Sequence, residues 1–80
     1  MSKFTAEYTD TFGGEANYSW VRRATFDVKT NSNRAILRKA KALMGLSGVR
    51  GTTEDYGDML RFKPYGSATV LFVTYTEGMN

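Results

Sequence analysis

The sequence predicts one small α+β domain, in which a single mainly antiparallel sheet of four to five strands carries one helix on one face. Three observations predict this fold class. Eighty residues suffice for only one hydrophobic core. Short stretches of polar and apolar alternation lie on both sides of one segment with helical periodicity. Glycine-containing turns of hairpin length separate the strands, so we expect the order β-β-α-β-β-β in a single domain over residues 1–80.

The first two strands are predicted to form an antiparallel hairpin. Polar and apolar residues alternate from Lys3 to Phe12, with only Asp10 out of pattern, and β-type residues resume from Tyr18 to Val28. The stretch Gly13 to Asn17 between them is rich in turn-forming residues. Arg22 shares the parity of the apolar residues on the second strand. This indicates either a β-bulge near Arg22 and Arg23 or an arginine stem that reaches the sheet edge.

One helix is predicted over Arg34 to Met44, which contains strong helix formers and neither Gly nor Pro. Thr30 to Asn33 offers several N-cap side chains. Gly45 is the expected C-cap glycine, and Leu46 is expected to close a Schellman contact beyond it. The apolar residues of this segment form one stripe at helical spacing, which we expect to lie on the sheet: Ile36, Leu37, Ala40, Leu43 and Met44.

Three further strands are predicted over Val49 to Tyr56, Met59 to Lys63 and Ala68 to Tyr75, the first of them weak and polar. Tight reversals are expected at Tyr56 to Met59, with Gly57 at the first central position, and at Pro64 to Gly66. The continuous apolar run within the last strand is typical of a central strand that is covered on both faces. One core between helix and sheet is expected to contain Phe26, Ile36, Leu43, Val70 and Phe72.

The composition argues against catalysis. Cysteine and histidine are both absent, so the chain has no disulfides, no thiolate nucleophile and no histidine to activate a serine. The acidic residues Glu54, Asp55 and Asp58 lack calcium-loop spacing and are better interpreted as a solvated turn. We therefore expect no enzyme activity, no metal site and no cofactor.

The first residues do not resemble a signal peptide, and no segment has the roughly 20 apolar residues of a membrane span. We therefore expect a cytoplasmic protein without a membrane partner.

The distribution of charge is the main indication of function. The net charge is +3, and the stretch from Arg22 to Arg50 holds eight of the eleven basic residues but only one acidic residue, Asp27. The predicted helix has a cationic outer face, formed by Arg34, Arg38 and Lys41 with Lys39 on its flank, and no acidic residue. Such a face is typical either of a patch that binds phosphates or an acidic protein surface, or of an ordinary solvated helix. The candidate partner-binding residues are Trp20, Arg22, Arg23, Arg34, Arg38, Lys39, Lys41, Arg50 and Tyr65.

The exposed aromatic candidates allow two interpretations. Tyr18, Trp20 and Tyr65 are possible stacking platforms for bases. In so small a domain, however, aromatic residues belong more often to the core. Trp20 beside Arg22 and Arg23 also has the composition of a protein-interface hot spot.

Several segments together resemble one class of proteins. They are Asn17-Tyr18-Ser19-Trp20-Val21-Arg22-Arg23, the basic helix, Asp55-Tyr56-Gly57-Asp58, and Pro64-Tyr65-Gly66-Ser67 before Thr69-Val70-Leu71-Phe72. In size and layout the chain is similar to small phage and mobile-element proteins of the anti-CRISPR type. This resemblance implies a stoichiometric inhibitor in the host cytoplasm that docks on a CRISPR effector complex and blocks target DNA binding or nuclease recruitment.

The net charge bears on how such an inhibitor would act. A charge of +3 argues against mimicry of DNA and favours docking on an acidic protein surface or on guide RNA. The alternative function is a small nucleic-acid-binding regulator that uses the same basic patch, and a third is a structural phage component. A monomer and a homodimer are both compatible with the sequence.

Overall fold

A computed structural model describes residues 2–29 and 32–76. These residues form one antiparallel five-stranded sheet and one helix, in the predicted order β-β-α-β-β-β. The sheet order is β2-β1-β5-β4-β3, so the last strand is central, as its apolar run predicted. The elements are β1 (Ser2–Phe12), β2 (Glu15–Val28), α1 (Asn33–Leu43), β3 (Gly51–Asp55), β4 (Met59–Pro64) and β5 (Thr69–Tyr75).

The β1–β2 hairpin has a shorter turn than the sequence predicted. Only Gly13 and Gly14 lie between the strands, with φ angles of 62° and 87°. Two consecutive residues at positive φ match the twist of the flanking strands, and glycine adopts this conformation without a steric penalty. The strand β2 consequently starts at Glu15 rather than at Tyr18.

The hairpin contains an irregularity whose position differs from the predicted one. The pairing is regular from the end of β2 up to Thr9 opposite Val21, and it resumes with Thr11 opposite Ala16. The β2 residues 17–20 therefore face Asp10 alone. Arg22 remains in register opposite Tyr8 and is exposed, so the bulge precedes Arg22 and Arg23 instead of lying at them.

The helix α1 has the predicted caps. Ser32 is the N-cap, and its hydroxyl accepts a hydrogen bond from the Ala35 N–H at 3.4 Å. The other expected capping candidates, residues 30 and 31, lie outside the described part of the chain. Beyond the helix, the Leu46 N–H donates to the Lys41 carbonyl at 2.7 Å, and Gly45 has a φ of 74°. This is the Schellman geometry that Gly45 and Leu46 predicted.

The core lies between α1 and one face of the sheet, which we call the helix-bearing face. On the helix, the fully buried residues Ile36, Ala40 and the following Met44 are spaced by four. The prediction that Leu43 belongs to this core is wrong, because Leu43 is 46% exposed. At 100° per residue it lies about 60° from Ala40 around the helix, at the last helical position. The sheet residues of the core are Phe4, Ala6, Phe26, Val28, Leu60, Phe62, Leu71 and Val73.

The central strand β5 presents its apolar residues to both faces. Leu71 and Val73 face the helix, and strand alternation therefore places Val70 and Phe72 on the opposite face, which we call the open face. The prediction that Val70 and Phe72 share the core under the helix is wrong for this reason. Val70 is nevertheless buried, beside the equally buried Thr9 of β1.

The helix α1 is short and polar on its outer side. No helix in the described ranges, 2–29 and 32–76, is long and apolar enough to cross a membrane.

Candidate functional site

The helix covers only part of the sheet and leaves an open groove of about 620 Å³ between α1 and β3. At one end of the groove the Asn33 side chain donates a hydrogen bond of 2.7 Å to Asp55, the last residue of β3. A second hollow of about 540 Å³ shares several of the same residues and extends towards the β4–β5 turn. We call the two hollows the basic groove. Its main lining residues are Arg34, Leu37, Arg38, Lys41, Val49, Arg50, Thr53, Phe62 and Tyr65.

The floor of the basic groove is apolar. Phe62 is buried, and Leu37 and Val49 are partly buried against the same core. At the outer end, Tyr65 is 69% exposed, and its backbone N–H donates to the Arg50 carbonyl at 3.0 Å. An apolar floor with polar groups at its border is the arrangement found at the centre of protein–protein interfaces.

Lys41 stands in the groove wall but is committed to the fold. Its ammonium donates to the Val49 carbonyl at 2.6 Å and lies 4.4 Å from the centroid of the Phe62 ring. The first contact ties the segment between α1 and β3 to the helix, and the second joins the helix to β4. The sequence placed Lys41 on a free cationic face with Arg34 and Arg38, whereas the structure gives it a structural contact that those two arginines do not share.

The arginines of the groove are exposed and carry the free positive charge. Arg34 and Arg38 lie one turn apart on α1, and Arg50 directly precedes β3. Within residues 2–29 and 32–76 the ion pairs are Arg23 with Glu7 and Arg61 with Glu54, so no described carboxylate neutralises the three groove arginines. A guanidinium in this state presents several N–H donors in a fixed plane, which suits a carboxylate or a phosphate.

The open face of the sheet, in contrast, is balanced in charge. Its two ion pairs lie in one row across the five strands, on either side of Phe72. The Arg23 Nε lies 2.6 Å from Glu7, and the Arg61 Nε lies 2.7 Å from Glu54. The hydrogen bond from Arg61 lowers the pKa of Glu54 below its ordinary value, and the same bond raises the pKa of Arg61. The row consists of Arg23, Glu7, Phe72, Arg61 and Glu54.

The remaining predicted site residues lie elsewhere. Trp20 and Arg22 are exposed on the β1–β2 hairpin. Arg23 is on the open face, and the Lys39 ammonium reaches the Asp27 carbonyl of β2 at 3.0 Å. The nine candidate residues therefore do not form one patch. The groove collects five of them: Arg34, Arg38, Lys41, Arg50 and Tyr65.

Asp10 organises the bulged part of the hairpin. Its carboxylate accepts hydrogen bonds from the Asn17 side chain at 2.9 Å, from the Ser19 N–H at 3.0 Å and from the Ser19 hydroxyl at 2.6 Å. These bonds, above all those from Ser19 and Asn17, hold the pKa of Asp10 well below its usual value. The sequence contained one signal of this role, since Asp10 is the residue that breaks the alternation of β1.

The bulge presents aromatic side chains to solvent. Tyr18 has a φ of 57°, an uncommon conformation for a large side chain, and is 49% exposed. The Trp20 ring meets the Tyr8 ring edge-on at 5.3 Å between centroids, yet Trp20 remains 42% exposed. The expectation that Tyr18, Trp20 and Tyr65 are more often core residues is thus wrong for this chain, because a bulge and a turn hold all three at the surface.

Two of the acidic residues near the β3–β4 turn have side-chain partners within the protein. Glu54 binds Arg61, while Asp55 accepts hydrogen bonds from the Asn33 side chain and from the Gly57 N–H at 2.8 Å. In the part of the chain that the structure describes, no cluster of three or more His, Cys, Asp or Glu side chains is placed to hold a metal ion.

Comparison with known proteins adds no assignment to this geometry. The chain matches no family model, and searches of curated proteins and of solved structures found no significant match. The groove, its unpaired arginines and its apolar floor are therefore the observations from which a function is inferred.

Proposed function

We propose that the protein is a non-catalytic binding protein that docks an acidic segment of a partner protein into the basic groove. The observation that carries this proposal is the pair Arg34 and Arg38. Both are exposed, they lie one helical turn apart, and no described carboxylate pairs with either of them. A helix with neighbouring cations and no acidic residue forgoes stabilising i, i+4 ion pairs. An acidic partner would supply the missing counter-charge.

The apolar floor favours a protein partner over a nucleic acid. Leu37 and Val49 are partly buried in the groove, and an apolar side chain of a partner segment can pack against them while carboxylates reach the rim. Contacts with a phosphate backbone depend on basic side chains and gain nothing from such a floor. Arginine and tyrosine are also the residue types that most often carry binding energy in protein interfaces.

The specific form of this proposal is a phage-type inhibitor that docks on a CRISPR effector complex in the host cytoplasm and blocks target DNA binding or nuclease recruitment. It is supported by the sequence resemblance to small anti-CRISPR proteins and by the net charge of +3, which suits an acidic docking surface. It acts at one molecule per target, without a metal or nucleotide. A nucleic-acid-binding regulator would use the same groove and is the alternative outcome of the test below.

The test reverses the charge of the groove without touching the core. In the variant Arg34→Glu/Arg38→Glu, Lys41 is kept because its ammonium supports the fold. The matched control is Arg22→Glu/Lys29→Glu, which makes the same change in net charge at two exposed residues outside the groove. Thermal melts establish that both variants fold. Retention of purified CRISPR effector complexes on the immobilised protein is then compared with binding of duplex DNA and of RNA.

We expect the groove variant to lose effector binding by at least about tenfold, which corresponds to roughly 1.4 kcal/mol, and the control to bind like the wild type. Binding of free duplex DNA should be no tighter than about 10⁻⁶ M at physiological salt. Loss of binding in the control but not in the groove variant would assign the interaction to the hairpin and overturn the proposal. Tight nucleic-acid binding that falls with salt by a log–log slope of about −0.9 per phosphate, and that the groove variant abolishes, would establish the alternative.

A further inference from the structure

The outer edge of β2 is the longest unpaired strand edge in the described structure. The sheet ends in β2 on one side and in β3 on the other, and β2 has 14 residues against 5 in β3. Its pairing with β1 is regular from Val21 to Val28, beyond the bulge. Edge strands present unpaired N–H and C=O groups that can pair with another chain. This edge lies on the opposite side of the sheet from β3 and the basic groove.

The backbone groups that face outward can be assigned from the hydrogen bonds of β1. The Thr11 N–H donates to the Ala68 carbonyl, and the Lys3 carbonyl accepts from the Thr76 N–H, so the odd-numbered residues of β1 bond to the β5 side. The even-numbered residues of β1 consequently bond to their even-numbered partners on β2. The outward-facing residues of the regular part of β2 are therefore Val21, Arg23, Thr25 and Asp27.

A second observation agrees with this assignment. The Asp27 carbonyl accepts a hydrogen bond from the Lys39 ammonium at 3.0 Å, so it is directed away from β1. A carbonyl oxygen has two lone pairs and can accept a further hydrogen bond from a neighbouring strand.

The charges along this edge are self-complementary about Thr25. Arg23 and Asp27 lie two residues before and two residues after it. In an antiparallel pair of identical strands centred on Thr25, each Arg23 stands directly opposite the Asp27 of the second copy. Each such facing pair of outward residues exchanges two backbone hydrogen bonds.

The partners of these residues on β1 extend the pattern. Arg23 is paired with Glu7, and Asp27 is opposite Lys3. A row across the two hairpins would contain Glu7 and Arg23 of one copy, followed by Asp27 and Lys3 of the second copy. The charges along this row alternate, starting with the negative Glu7. The central row contains only threonines, because Thr25 is opposite Thr5. No like charges face each other in this register.

We propose that a second copy of this chain is the partner of the β2 edge, and that two chains join antiparallel at β2, centred on Thr25, to form one continuous sheet. The twofold axis is perpendicular to the sheet, so both helices lie on the same side. The basic grooves then lie near the two outer ends of the dimer. The inference goes beyond the proposed function and does not depend on it, since neither Arg34 nor Arg38 takes part.

The test uses two single variants that repel themselves and attract each other. In Arg23→Asp, position 23 of each copy faces Asp27, so two carboxylates oppose. In Asp27→Arg, two guanidinium groups oppose. A mixture places Asp at position 23 opposite Arg at position 27, and Asp27 opposite Arg23, so both facing pairs are again of opposite charge. Sedimentation equilibrium measures the mass of each sample, and far-ultraviolet circular dichroism confirms that each variant is folded.

We expect the wild type to reach twice the 9.0 kDa of one chain as concentration rises. For each variant alone, the dissociation constant of the dimer should be at least about tenfold larger than for the wild type. The mixture of the two variants should form the dimer again. A third variant, Thr25→Pro, removes only an outward N–H and is compatible with an edge strand, so it should be folded and monomeric. A wild type that stays at 9.0 kDa up to its solubility limit overturns the proposal, and so does a dimer that is unaffected by the single variants.

Discussion

The orientation of α1 determines which side chains line the basic groove, and it can be tested with two alanine substitutions on the same helix. Ile36 is 4% exposed and lies in the core, whereas Leu43 is 46% exposed at the helix end. Both are large aliphatic side chains, so truncation to Ala removes a similar volume. The two substitutions should therefore lower the free energy of unfolding by amounts that differ because the two side chains are buried to different extents.

The expected losses in the free energy of unfolding differ clearly between the two variants. A fully buried Ile-to-Ala change costs about 2 to 5 kcal/mol, because the transfer energy is lost and a cavity remains. A half-exposed leucine should cost about 1 kcal/mol or less. For a chain of 80 residues the total stability is roughly 4 to 12 kcal/mol. With a shift of about 4 to 8 °C per kcal/mol, Ile36→Ala should lower the Tm by about 10 °C or more.

The measurement is thermal or urea unfolding followed by circular dichroism, with equal m-values required for a valid comparison. Ile36 and Leu43 point only about 20° apart around the helix, so their comparison reports how far the sheet covers the last turn. A Leu43→Ala variant as unstable as Ile36→Ala would show that α1 lies on the sheet differently from the arrangement described, and the structural basis of the proposed docking site would fail.

Three further predictions concern single residues. Gly51→Ala should destabilise the protein by about 1 to 3 kcal/mol or more, because a Cβ at this position would collide with the backbone carbonyl of Lys63; denaturant unfolding measures the loss. Lys41→Glu should lower the Tm much more than Lys41→Met, since methionine keeps the contact with the aromatic ring below, while glutamate sets a carboxylate against a backbone carbonyl. The lowered pKa of Asp10 means that its contribution to stability is present above its usual pKa of 3.8 and is lost as pH falls below that value towards the lower native pKa. Asp10→Asn should therefore give at neutral pH the Trp20 fluorescence that the wild type gives only in strong acid.

A specific result would contradict each of these three predictions. A Gly51→Ala variant as stable as the wild type would mean that β3 and β4 do not approach as closely as described. If Lys41→Glu and Lys41→Met had the same Tm, the ammonium of Lys41 would have no structural role. An acid transition of Trp20 fluorescence that is centred at or above pH 3.8, or one that is unchanged in Asp10→Asn, would contradict the carboxylate clamp on the bulge.

The sequence by itself determined the elements and their order. Alternation along β1, the glycines of the turns and the polar residues before the helix act locally, so they can be interpreted without knowledge of the rest of the chain. Gly45 and Leu46 predicted the helix end correctly for the same reason, since the Schellman bonds join residues within one turn. The central position of β5 also followed from its apolar run.

Which face each residue occupies was decided by the tertiary structure. The run from Val70 to Val73 is apolar throughout, so its pattern has no parity contrast, and only pairing with β1 and β4 places Leu71 under the helix and Phe72 on the open face. For the helix, the apolar stripe is wider than the area of sheet that covers it, which leaves Leu43 exposed.

The division of the basic residues also required the tertiary structure. In sequence, Arg23, Arg34 and Lys41 are equivalent cations. Their difference arises from groups brought near them by folding: Glu7 beside Arg23, the Val49 carbonyl beside Lys41, and no described carboxylate beside Arg34. Charge composition is a sum over the chain, whereas charge pairing depends on distances of a few ångströms between residues remote in sequence. The basic groove therefore became visible only once the strands and the helix were in place.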